Sequence, residues 1–145
     1  MNSRSSEAAT NRAIVADFES GRAPGDFRHA DHVRVAFAYL AELPLAEAIA
    51  RFSSALQHFA AAQGKPGRYH ETMTWAYMLL IHERRSRDAS GESWEAFAAR
   101  NPDLLEPNRA LLERYYSRSV LDSDLARKCF VLPDRVAGSE PETCL

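Results

Sequence analysis

Leu45-Ala46-Glu47-Ala48-Ile49-Ala50-Arg51-Phe52-Ser53-Ser54-Ala55-Leu56-Gln57-His58-Phe59 is the stretch whose reading decides the fold. Leu45, Ile49, Phe52, Leu56 and Phe59 recur at the i, i+4, i+7 spacing that draws one narrow apolar stripe down a helix, with His58 nearly opposite it. The helix should run from Leu45 to about Gln63. Pro44 stands before it, where a missing amide hydrogen costs nothing. Gly64-Lys65-Pro66-Gly67 follows, with the glycine and proline that end helices.

Working outward from this helix, both neighbours also read as helical. Upstream, from His29 to about Leu43, a rotation of about 100° per residue puts His29, His32, Val33, Ala36, Leu40 and Leu43 on one side. Asp31 and Arg34 point elsewhere. Downstream, from Tyr69 to about Arg87, the segment Trp75-Ala76-Tyr77-Met78-Leu79-Leu80-Ile81 is apolar all round, as expected of a central helix. Its end, with Glu83, Arg84, Arg85, Arg87 and Asp88, marks emergence into water.

The flanks are less regular. Residues 1–6 are expected as a flexible lead-in, followed by a helix from about Glu7 to Glu19. Gly21-Arg22-Ala23-Pro24-Gly25-Asp26 reads as a loop. Ser93 is a good N-cap for a short helix from Trp94 to Arg100. Pro107 can open a helix carrying Leu111, Leu112, Tyr115 and Tyr116, and a last short helix from about Asp122 to Phe130 presents Leu125, Cys129 and Phe130. Residues 134–145 are expected as a flexible tail. No alternating strand-like run occurs. The expected fold is therefore all-α: one domain over residues 7–133, a compact bundle of three to four main helices plus short C-terminal helices.

Composition narrows the function classes. A chain of 145 residues with 46% hydrophobic and 26% charged residues can bury a core as one domain and lacks the signature of disorder. The net charge of -2 gives no electrostatic reason to expect nucleic acid or an anionic membrane as partner. Cys129 and Cys144 do not suggest a disulfide framework, and a reducing cytoplasm is expected. Cys129 itself is expected as a small buried hydrophobe.

Chemistry is suggested by Asp26-Phe27-Arg28-His29-Ala30-Asp31-His32 and by Tyr69-His70-Glu71-Thr72. Both blocks begin a helix with histidine where an apolar face begins. An imidazole buried without a partner costs a few kcal/mol, so these side chains need an explanation. Metal coordination is one: His29 and His32 are neighbours on a helix, and His70 supplies a third nitrogen. Glu71, or Asp26, would be the carboxylate. Such a set suits zinc with an open position, or iron held by two histidines and a carboxylate. The bland reading, in which each histidine sits at a helix rim bonded to backbone or water, stands beside it.

Several near-motifs are discounted. His70-Glu71-Thr72-Met73-Thr74 begins like the zinc-protease pattern, but Thr74 occupies the second histidine position. His82-Glu83-Arg84-Arg85-Ser86 fails in the same way. Gly64-Lys65-Pro66-Gly67 lacks the length and the Ser/Thr of a phosphate loop.

Phe27-Arg28-His29-Ala30-Asp31-His32-Val33-Arg34, Arg68-Tyr69-His70-Glu71-Thr72 and Asp124-Leu125-Ala126-Arg127 resemble blocks of a family of small bacterial all-helical proteins without an assigned function. The resemblance spans roughly residues 26 to 133 and implies a helical fold in which the two histidine blocks form one feature. It implies no substrate or cofactor.

Three functions remain open. The first is a helical domain with a divalent metal, zinc or iron, on His29, His32 and His70, acting as an enzyme if Glu71 serves as general base toward metal-bound water. The second is a small-molecule binding or sensing domain without catalysis, in which the same residues are polar anchors. The third is a helical interaction module, such as a homodimer.

Overall fold

The structure, a computed structural model, describes residues 3–23, 26–87 and 92–135. Seven α-helices and three short 3-10 turns make up the described residues, which contain no strand, so the fold is all-α. The helices are α1 (Ser3–Glu19), α2 (His29–Glu42), α3 (Leu45–Ala62), α4 (Glu71–Arg87), α5 (Trp94–Arg100), α6 (Arg118–Leu121) and α7 (Asp124–Lys128). None of them is long and apolar enough to cross a membrane.

The amphipathic stripe of α3 is only partly covered. Ile49 and Phe52 are buried, whereas Leu45, Leu56 and Phe59 are half-buried. Pro44 is the N-cap, its extended backbone joining α2 to α3. At the other end Gly64 takes a φ of +74°, a left-handed conformation that suits glycine and turns the chain out of the helix.

Two helices form the centre. α2 packs against α1, α3, α4 and the 3-10 turn Pro102–Leu105, and α4 against α2, α3 and α7. Val35 through Leu40 of α2 are all buried, as are Ala76, Met78, Leu80 and Ile81 of α4. Phe18 of α1 stacks on Phe27 and Phe52 at 5.8 and 5.9 Å and meets Phe59 at 5.5 Å, which fastens α1 to the loop before α2 and to α3. On the other side, Phe37 packs between Trp94 and Phe97 of α5, with the guanidinium groups of Arg34 and Arg85 within 5.8 and 5.0 Å of its ring. Cations over an aromatic face are attracted by the ring's quadrupole, which offsets part of the desolvation that lowers the pKa of both arginines.

The flanks depart from expectation in physically simple ways. α1 begins at Ser3 rather than near Glu7, because its first turns are anchored: a Glu7 carboxylate oxygen accepts from the backbone N–H of Trp94 at 3.1 Å. Of the C-terminal residues expected to be loose, Asp134 accepts from the N–H of Ser117 and Arg135 donates its N–H to the Tyr115 carbonyl, both at 2.8 Å. Residues 1–2 and 136–145 lie outside the described residues.

The helix expected after Pro107 shrinks to a turn at Leu112–Arg114, although Leu111, Leu112 and Tyr116 are buried as the apolar pattern requires. The last expected helix shortens to α7, and α6 forms ahead of it as an element not expected from the sequence; Ser117 and Ser123 cap the two starts by accepting from the amide three residues on. With α7 only five residues long, Ala126 points into the core and Leu125 is 62% exposed. Cys129 falls just past its end and is exposed, not the buried hydrophobe the sequence suggested. Phe130 is the residue that packs, stacking on Trp75 at 5.2 Å.

Candidate functional site

The chain leaves α3 through Gly64, makes the 3-10 turn Pro66–Arg68 and enters α4 through an extended Tyr69. α4 therefore starts at Glu71, two residues later than its apolar pattern suggested. His70, directly before it, explains the start. Its Nδ1 accepts the backbone N–H of Met73 at 3.1 Å, the third residue of the helix, as a capping side chain does. Its Nε2 lies 2.8 Å from the carbonyl oxygen of Leu121, to which it must donate. His70 is thus neutral, with both ring nitrogens engaged, and is 8% exposed. Burial pushes its pKa below the usual histidine range, against the opposing pull of the Leu121 carbonyl.

Glu71 is similarly engaged. Tyr69 donates its hydroxyl to one carboxylate oxygen at 2.6 Å, and the indole N–H of Trp75 donates to the other at 3.1 Å. The carboxylate links the connection before α4 to the Trp75–Phe130 stack on its flank.

At the start of α2, the N–H of Arg28 donates to the Asp31 carboxylate at 2.9 Å, which fixes the entry of the helix. This sets His29 and His32 one turn apart on the inner side. His29 places Nε2 2.8 Å from the carbonyl oxygen of Leu104, and its ring lies 4.9 Å from that of Tyr77. Donation from Nε2 leaves Nδ1 as a bare acceptor.

His32 differs. Phe27 and Phe59 pack around its ring edge-on at 5.2 and 5.8 Å, and its Nε2 is buried without a hydrogen-bond partner. Burial, reinforced by repulsion from His29 and opposed by Asp31, pushes its pKa down to about 4. At neutral pH it is uncharged.

These side chains border one cavity of about 270 Å³ between α2, α3 and α4. His29, His32 and His70, the histidines that the sequence singled out, all reach its wall, whereas Glu71 and Asp26 do not. The rest of the wall is mainly apolar, with Phe52, Leu56 and Phe59 from α3 facing Met73, Tyr77 and Ile81 from α4. This is why the end of the α3 stripe is only half-buried. Lys65 and Arg68 stand at the edge, and no carboxylate lines the space. In the sequence Lys65 figures only within Gly64-Lys65-Pro66-Gly67, discounted as a phosphate loop, and neither cation has a role in a site; only the closing of the cavity gives them a shared position.

Among the described residues, no group of three or more His, Cys, Asp or Glu side chains is placed to hold a metal ion. The chain matches no family model, no curated protein and no solved structure.

Proposed function

We propose that the protein binds a small organic molecule in the cavity between α2, α3 and α4, as a binding or sensing domain rather than by catalysis, with His29 and His32 as polar anchors. The observation that carries this reading is His32. A buried polar nitrogen without a partner costs roughly 1–3 kcal/mol, and such atoms are uncommon in folded proteins. Here the atom belongs to a side chain that borders an apolar cavity, so a turn of the ring toward that space lets a ligand supply the missing bond. An apolar space with few polar groups is the usual form of a small-molecule site.

The alternative of a divalent ion on all three histidines asks more of the fold. His70 would have to release either the Met73 amide or the Leu121 carbonyl to offer a lone pair. The small-molecule reading leaves both bonds in place. It also fits a cytoplasmic protein, the compartment expected from its cysteine usage.

The test is thermal denaturation of the purified protein against a panel of small amphiphiles, beside an Ala60→Phe variant that fills the cavity from α3. Ligands should raise the melting temperature of the wild type and leave the variant unmoved. Equal responses in both proteins, or none in the wild type, would refute the proposal.

A further inference from the structure

The edge of the cavity is electrostatically one-sided, and this bears on what enters it. Lys65 and Arg68 are both exposed, and neither makes an ion pair or a side-chain hydrogen bond among the described residues. Other exposed cations such as Arg12 and Arg114 are also outside any ion pair among the described residues, but they do not line the cavity, whereas Arg51 lies against Glu19, Arg84 against Asp103, Arg109 against Asp122 and Arg118 against Glu113.

Backbone geometry brings the two unmatched cations together. The N–H of Lys65 donates to the Ala60 carbonyl at 2.9 Å and that of Arg68 to the Lys65 carbonyl at 3.0 Å. Lys65 is the N-cap and Arg68 the last residue of the 3-10 turn Pro66–Arg68, and both side chains line the same cavity. Arg127 holds the same turn from outside, donating to the Gly67 carbonyl at 3.0 Å, and adds a third positive charge nearby. No carboxylate lines the cavity, and the acidic groups in the first turns of α2 and α4 have other partners, Asp31 the Arg28 amide and Glu71 the side chains of Tyr69 and Trp75.

We propose that the cavity takes a monocarboxylate whose carboxylate sits between Lys65 and Arg68 and whose apolar body, of roughly ten carbons on the scale at which a ~150 Å³ cavity holds one benzene ring, lies among Phe52, Leu56, Phe59, Met73 and Ile81. The inference rests on the small-molecule reading above and names its ligand class. A guanidinium and an ammonium at the edge of one cavity can bind both carboxylate oxygens. The uncharged interior offers an apolar chain a surface that water leaves readily.

The experiment compares decanoate, decanol and decylamine by isothermal titration at neutral pH, with the wild type, a Lys65→Glu/Arg68→Glu double variant and Ala60→Phe. Lys65 and Arg68 are exposed, so the double variant should fold. Decanoate should bind the wild type roughly ten-fold or more tightly than decanol, a margin that added salt narrows and that the double variant loses. Binding of decanol as tight as that of decanoate, or a preference for decylamine, would overturn the carboxylate assignment while leaving the cavity proposal standing. No binding of any of the three overturns the ligand class. If Ala60→Phe is then also indistinguishable from wild type against the wider panel, the cavity proposal falls with it.

Discussion

His70 joins two parts of the chain that are fifty-one residues apart: its Nε2 donates to the Leu121 carbonyl at 2.8 Å while its Nδ1 caps α4 at the Met73 amide. One neutral ring therefore fixes both where α4 begins and where the C-terminal segment docks. His70→Ala should lower stability by about 2–4 kcal/mol, since it removes a cap and strands a carbonyl. His70→Asn can restore the cap but not reach Leu121, and should recover about 1 kcal/mol of that loss. Urea unfolding of the three proteins measures both values; equal stability of wild type and His70→Ala would contradict this role.

His32 makes the fold acid-sensitive. Its pKa is about 4 when folded, against the 6.5 of a freely solvated imidazole, which is the value it takes in the unfolded chain. Above pH 6.5 the imidazole is neutral in both states and pH has no effect through it. As pH falls from 6.5 toward 4, the unfolded chain takes up a proton that the folded one resists, so stability declines, and the decline levels off below about pH 4. The lowered pKa of His70 acts in the same direction. At ~1.4 kcal/mol per pKa unit, the His32 contribution is at most about 3.5 kcal/mol. His32→Leu should flatten the stability profile between pH 6.5 and 4.5 and leave stability at pH 7 unchanged or higher. Parallel slopes for the two proteins would show that His32 does not carry the effect.

Thr72 ties the end of the chain to the central helix. Fully buried, it donates its hydroxyl to the Cys129 carbonyl at 2.8 Å and accepts the Val131 N–H at 3.1 Å. Thr72→Val keeps the shape and removes both bonds, at a cost of about 1–3 kcal/mol. Hydrogen exchange at the Val131 amide should accelerate by more than the global loss of stability accounts for, whereas Thr72→Ser should keep its protection. A Val131 amide as protected in Thr72→Val as in wild type would argue against the tie.

Much of the architecture was legible in the sequence because long helices carry their own record. The spacing of Leu45 to Phe59 and the apolar run at Trp75 to Ile81 marked α3 and the central α4, and Ser93 announced the start of α5. The short C-terminal elements were not legible in this way. Pro107 and Leu111 to Tyr116 satisfy a helical pattern, yet only a turn forms, because a few residues cannot sustain a helix unless tertiary contacts favour it.

By itself, then, the sequence determined the helical class, the positions of the main helices and which histidines lie where apolar faces begin. Only the tertiary structure decided how those histidines differ. His70 meets a carbonyl contributed by α6 and His29 one from the turn before Glu106, whereas the Nε2 of His32 meets neither donor nor acceptor. Periodicity records which side of a helix faces inward. It does not record what arrives there from distant parts of the chain, and an imidazole's role depends on which atoms face its two nitrogens.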